Sequence, residues 1–155
     1  MQVGLVKPIF PFEKRVALLP CDVDLTANQL IVESGFGESL GIDDREYLQK
    51  GCEIGTREQI FSECQAIFCL KLLQPQDYNL LRKKQLIVGW THPTGSGTEF
   101  YTKIAKPKEL LIADIDNIYP TLFYLDNKYP ISWIPRDFIR ENRSEERRVG
   151  KECRS

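Results

Sequence analysis

The 155-residue chain contains a single histidine, His92, and two cations share its kind of setting, Lys71 and Arg15. His92 follows the apolar run Leu86-Ile87-Val88 and opens a loop rich in proline and glycine, Pro93-Thr94-Gly95-Ser96-Gly97. Imidazole is the one side chain whose ordinary pKa lets it give and take protons near neutrality, so the chemistry it would bring is general acid–base work. A structural histidine capping the loop is the alternative. Lys71 closes the run Ala66-Ile67-Phe68-Cys69-Leu70. At the carboxyl end of a buried strand an ammonium either reaches a ligand crevice or snorkels to water. Arg15 lies in a loop soon after the first apolar run, where a guanidinium could hold a carboxylate through two parallel hydrogen bonds, a geometry lysine cannot reproduce. A solvated surface arginine is its alternative. If the strands run parallel, all three residues follow strand ends on one rim.

The elements that must position them alternate. Strands are expected at 2–6, 30–33, 66–70, 86–88 (where Gly89 interrupts) and 109–114. Between them, helices are expected at 22–28, 43–50, 56–64, 75–82 and 99–105. The second is capped by Asp43 or Asp44 and closed by Gly51, the third opens on T-x-x-Q, and the fourth has a proline in its first turn. Short strands alternating with helices predict an α/β domain, a mostly parallel sheet with helices on both faces in the Rossmann or flavodoxin manner. Beyond Asp116 the pattern loosens, with an extra strand expected at 121–125, a helix at 135–142, and poor order from Asp126 onward.

Composition narrows the classes. Hydrophobic residues make up 42% and charged residues 28%, a globular rather than disordered balance. A formal charge of −1 gives no electrostatic case for nucleic acid. No apolar run reaches the length of a membrane span and no signal-peptide layout opens the chain, so a cytoplasmic protein is expected. The five cysteines (21, 52, 64, 69 and 153) form no C-x-x-C pair, and with one histidine no metal site is expected. The stretch Gly35-Phe36-Gly37-Glu38-Ser39-Leu40-Gly41 approaches a dinucleotide fingerprint but is one residue too long in its last spacing. Gly95-Ser96-Gly97 could offer amides to an anion, though such clusters mostly mark turns. No cofactor-binding residue is expected in this chain. The last thirteen residues, RSEERRVGKECRS at 143–155, match one reading frame of a common short-read sequencing adapter. An assembly artefact, disordered in the product, is expected there. Without it, five basic and three acidic residues disappear and the formal charge falls to −3.

The segments VGLVKP, EKRVALLP and VESGFGESLGIDDREYLQKGCEI, in that order, resemble the N-terminal domain of the alanine dehydrogenase/pyridine nucleotide transhydrogenase superfamily. FCLKLLQP and IVGWTHPTGSG are similar to its carboxyethylornithine synthase branch, an opine-type group that also resembles saccharopine dehydrogenases. The similarity runs from residue 1 to about residue 142, which sets the expected domain, 1–142.

The resemblance implies an oxidoreductase that joins pyruvate to the side-chain amine of ornithine and reduces the imine with NADPH. It implies that Arg15, the arginine of E-x-R-V-A, binds a substrate carboxylate. Lys71 matches the strand-end lysine that binds substrate and takes part in catalysis, and His92 the catalytic histidine. Alanine dehydrogenases place that lysine just before a Glu-Pro pair, whereas here Leu72-Leu73-Gln74-Pro75 follows, which argues against alanine as substrate. The family also carries a second Rossmann domain with the glycine-rich dinucleotide loop, which this sequence lacks. The chain alone is therefore expected to be inactive and not to bind NADPH, while the full-length family member is expected to be a homo-oligomer with no membrane or nucleic-acid partner. An alanine or saccharopine dehydrogenase-like enzyme, a non-catalytic flavodoxin-like binding module, and a functionless fragment stay open as alternatives.

Overall fold

The computed structural model describes residues 1–23, 29–115, 121–124 and 127–130. The chain divides into two compact units, Met1–Asp116 and Asn117–Ser155. The first is built on β1 (Gln2–Val6), β2 (Gln29–Glu33), α1 (Asp44–Gln49), β3 (Glu53–Gly55), α2 (Arg57–Glu63), β4 (Ala66–Lys71), β5 (Leu86–Trp90), α3 (Thr98–Phe100) and β6 (Leu111–Asp114). Its six strands form one parallel sheet in the order β3-β2-β1-β4-β5-β6. The order reverses between β1 and β4, the place where doubly wound sheets open a crevice beyond their carboxyl ends. In the second unit β7 (Thr121–Tyr124) and β8 (Asn127–Pro130) pair antiparallel as a hairpin.

Side-chain alternation along each strand feeds two cores. Val6, Ile31, Ile67, Cys69 and Ile87 face Ile60 and Phe61 of α2 and Phe100 of α3. Leu5, Leu30 and Val32 point the other way, toward Phe36 and Tyr47 of α1. A strand with a core on each side reads as a continuous apolar run, as these do. Helix α1 is only six residues long and is held from its ends and its buried face. Asp43 accepts from the Arg45 amide at 2.8 Å while Glu46 accepts from the Asp43 amide at 3.2 Å, a reciprocal capping box. Tyr47 is fully buried, and its hydroxyl donates to the Leu18 carbonyl at 2.9 Å. Burial pushes its pKa up to about 12. At the head of α2, Thr56 accepts from the Gln59 amide at 3.2 Å, but the Gln59 side chain turns to Glu63 instead of closing a box.

Several expectations need correcting. The expected helix at 75–82 is one 3-10 turn, Pro75–Asp77, followed by turns. Arg82 and Gln85 are drawn off to cap α2, donating to the carbonyls of Phe61 and Cys64 at 2.6–3.0 Å. Gly89 does not interrupt β5, which continues to Trp90; it pairs with Cys69, and a Cβ there would lie 2.0 Å from the Cys69 carbonyl oxygen. The expected helix at 99–105 is α-helical only to Phe100 and becomes a π-helix over Tyr101–Ala105. There the Thr102 hydroxyl donates to the carbonyls of Thr98 and Glu99, competing with the main-chain ladder. Strands β3 and β8 were not expected; β3, with one glycine in three residues, is too short to show a period. Only a 3-10 turn at Pro20–Asp22 stands at the start of the expected helix 22–28, whose remainder lies largely outside the described residues. The expected helix at 135–142, the poor order from Asp126 and the expected disorder of 143–155 also lie outside them, hairpin backbone excepted. Among the described residues no helix is long and apolar enough to cross a membrane.

Candidate active site

Lys71, Arg15 and His92 all fall on the carboxyl side of the sheet, and Trp90 ties them together. Lys71 is the last residue of β4 and pairs in register with Trp90. The pairing skips a residue between Cys69 and Lys71, a bulge of the kind that re-aims a side chain near a site. Gly89 is what lets the strands close up beside it. Arg15, in the irregular segment after β1, sets its guanidinium 5.9 Å from the centre of the Trp90 ring. His92 stands two residues beyond Trp90, half-buried, with a left-handed backbone (φ 47°) rare for a side chain carrying a Cβ.

Glu13, which sequence reasoning passed over, holds Arg15 in place. Its two carboxylate oxygens accept from Nε and one terminal nitrogen of Arg15 at 2.8 and 2.7 Å, and one also accepts from the Arg15 amide at 3.0 Å. The hydrogen bond from Arg15 lowers the Glu13 pKa to about 2 against the opposing effect of burial, and the charge of Lys71 adds to the lowering. Lys71 and Arg15 thus share one carboxylate field at the rim.

Behind the rim is a second polar system that sequence reasoning also missed. Arg57, the first residue of α2, donates to both carboxylate oxygens of Asp77 at 2.7 and 3.0 Å, to Glu33 at 2.7 Å and to the Lys7 carbonyl at 3.1 Å. Glu33 also accepts from the Lys7 amide at 2.7 Å, and Asp77 from the Gln74 amide at 3.1 Å. Asp77 is 1% exposed. Burial disfavours the charge on Arg57, but Asp77 and Glu33 more than offset that and raise its pKa. One guanidinium therefore ties the ends of β1 and β2 to the segment following Lys71. A signal was present: an arginine directly after a helix-capping threonine faces the positive end of the helix and needs carboxylate partners elsewhere.

The glycine motifs are spoken for within the fold. The Gly35 amide donates to the Asp44 carboxylate at 2.9 and 3.0 Å, and a 3-10 turn follows it rather than a full helix. The amides of Gly95 and Gly97 donate to the His92 carbonyl at 3.1 and 3.0 Å. Neither motif presents a cradle for a dinucleotide's phosphates. Among the described residues no group of three His, Cys, Asp or Glu side chains could hold a metal ion. Cys52, Cys64 and Cys69 are buried free thiols while Cys21 is exposed. Burial pushes Cys64 up to about 11 and Cys69 up to about 12, which keeps both as thiols.

An open parallel sheet in this order, with two cations and an imidazole beyond its carboxyl edge, defines a Rossmann-like domain. The chain belongs to the alanine dehydrogenase/PNT N-terminal domain family, which it matches over residues 4–118. An N(5)-(carboxyethyl)ornithine synthase of Clostridium botulinum is 52% identical over 142 residues, which is 92% of this chain and 45% of that protein. The Lactococcus lactis protein of the same name is 49% identical over 92% of this chain and 46% of its own length. The chain thus spans about half the length of these curated relatives. An alanine dehydrogenase of Mycolicibacterium smegmatis is 33% identical over 62% of this chain and 27% of its own length. Among solved structures, a transhydrogenase from Sinorhizobium meliloti superposes with a TM-score of 0.67 at 20% identity, over 77% of this chain and 36% of that one. An L-alanine dehydrogenase gives 0.62 at 23% identity, over 74% and 32%. These two speak to the fold alone.

Proposed function

We propose that this chain is the substrate-binding portion of an NADPH-dependent oxidoreductase that condenses pyruvate with the side-chain amine of ornithine. The observation that carries the reading is the meeting of Arg15 and Lys71 around Trp90 and Glu13, two residues from His92, in a chain 52% identical to a relative of that name. The similarity to an alanine dehydrogenase is lower and shorter, which favours the ornithine branch.

In this reading Arg15 holds the pyruvate carboxylate and fixes the keto carbon toward the incoming amine. Lys71 stands beside the keto oxygen and stabilises negative charge as the C–N bond forms. The resulting carbinolamine loses water only when its hydroxyl is protonated, and His92 delivers that proton. NADPH, when bound to the complete enzyme, would supply the hydride for the reduction that follows. With the Gly35, Gly95 and Gly97 amides bonded inside the fold, the described residues do not fit the dinucleotide.

Nuclear magnetic resonance of the chain tests the binding half directly, because His92 supplies the only imidazole signals. Pyruvate is expected to shift them, and Arg15→Lys to weaken that binding roughly tenfold, since the ammonium keeps the charge but loses the fork. In the enzyme that joins this domain to a nucleotide-binding domain, His92→Ala is expected to lower kcat by roughly 10²–10⁴-fold. An unshifted imidazole at saturating pyruvate, or a near-normal kcat after His92→Ala, would remove the assignment.

A further inference from the structure

The residue immediately before His92 carries more buried polar structure than a loop residue needs. Thr91 is completely buried. Its amide and its hydroxyl both donate to the same Asp114 oxygen, at 3.2 and 2.9 Å. Because that carboxylate only accepts, the Thr91 hydroxyl spends its proton there, so the 2.7 Å contact with Tyr101 is made by the Tyr101 hydroxyl donating to Thr91. Asp114 ends β6 and Tyr101 begins the π-helix, so two separate elements converge on one side chain. Beyond it, the His92 carbonyl accepts from Gly95 and Gly97. Gly97 packs so tightly that a Cβ would lie 1.9 Å from the Thr91 carbonyl oxygen and 2.7 Å from the His92 carbonyl oxygen. His92 is held in its left-handed conformation from both sides, and strain of that kind persists only where the surroundings over-determine it. The π-helix beside it is a rare turn often found at functional sites.

We propose that Asp114, Thr91 and Tyr101 form a clamp of positioning residues that fixes the His92 imidazole for proton transfer. This rests on the reading of His92 as the acid–base group. The clamp acts through the main chain: Asp114 anchors the Thr91 amide and hydroxyl, Tyr101 closes the other side of that hydroxyl, and the peptide leading into His92 has one orientation.

Amide hydrogen exchange on the 155-residue chain tests it. In Thr91→Val, which keeps the shape and removes the hydroxyl, the Gly95 and Gly97 amides are expected to exchange at least tenfold faster. The Ile31 and Ile67 amides in the core should keep their rates, and the pyruvate-induced shift of the His92 signals should fall below half. Asp114→Ala, which removes the acceptor, is expected to behave similarly, Tyr101→Phe more mildly, and Thr91→Ser, which keeps the hydroxyl, to restore the original rates. Unchanged exchange at Gly95 and Gly97 in Thr91→Val, or equal acceleration there and in the core, would overturn the clamp. If pyruvate leaves the His92 signals unmoved in the unaltered chain, the functional reading fails, and the exchange rates judge the clamp by themselves.

Discussion

Arg57→Met is the substitution whose cost the structure sets most sharply. The change keeps an unbranched side chain along Phe61, whose ring lies 5.8 Å from the guanidinium carbon, and removes the charge. It leaves Asp77 at 1% exposure and the Glu33 side chain at 11% as carboxylates with their main cation gone. Breaking a buried pair by deleting one partner costs about 3–5 kcal/mol, because the remaining charge stays buried and uncompensated. Domains are held by about 5–15 kcal/mol in total, so the loss is a large fraction of the whole. At about 3–5 °C per kcal/mol for a unit of this size, Tm should fall by roughly 10–25 °C at pH 7. Adding Asp77→Asn, which removes one of the two orphaned charges, should recover part of the lost stability. Urea unfolding of the single and the double variant at pH 7 is the assay. A loss below about 1 kcal/mol at pH 7, or no recovery when Asp77→Asn is added, would refute the view that this guanidinium neutralises the strand ends.

Gly89→Ala puts a methyl group 2.0 Å from the Cys69 carbonyl, so it should cost about 3 kcal/mol or more, seen as a lowered Tm, and should disturb the Lys71 amide resonance; an unchanged Tm would count against the tight β4–β5 approach. The Glu13 carboxyl should titrate near pH 2 in a carbon-detected titration and return toward the ordinary glutamate range in Arg15→Ala. Because its folded pKa is lowered, its contribution to stability is full above the unfolded value and is lost as the pH falls through about 2, so acid unfolding of Arg15→Ala should lack that component.

The strands of the sheet's centre were legible because apolar runs such as Ile67–Cys69 and Leu86–Val88 answer to burial on two faces, and that pattern is written locally. Helix α1 was legible because Asp43 and Gly51 mark its ends. The turns after Pro75 were not, since what stops that helix is Arg82 reaching carbonyls about twenty residues earlier in the chain. The same division runs through the site. Arg15, Lys71 and His92 could be singled out by type and by their places after apolar runs. Trp90, Arg57, Thr91 and Asp114 act through partners brought to them by the fold, while Glu13 lies two residues from Arg15 and Thr91 directly precedes His92, the groups they serve. The reading of Gly89 as a break failed for a related reason: a glycine in a strand marks a close backbone approach as readily as an end.

The position of β1 carries a cost in time. It precedes the other strands of this sheet in the chain and is one of the two central ones, flanked in the finished sheet by β2 and β4. Val3 pairs with Ala66, so one flank of the strand has no partner until sixty-three further residues exist. At about 5–20 residues per second, a nascent chain would carry an apolar strand with an open edge for roughly 3–13 s before that partner is even synthesised. Its pairings are parallel and distant in sequence, the kind that form slowly. Proteostasis, rather than the finished fold, is where Gln2–Val6 makes its demand: during synthesis it is the segment of this domain most in need of a holding chaperone.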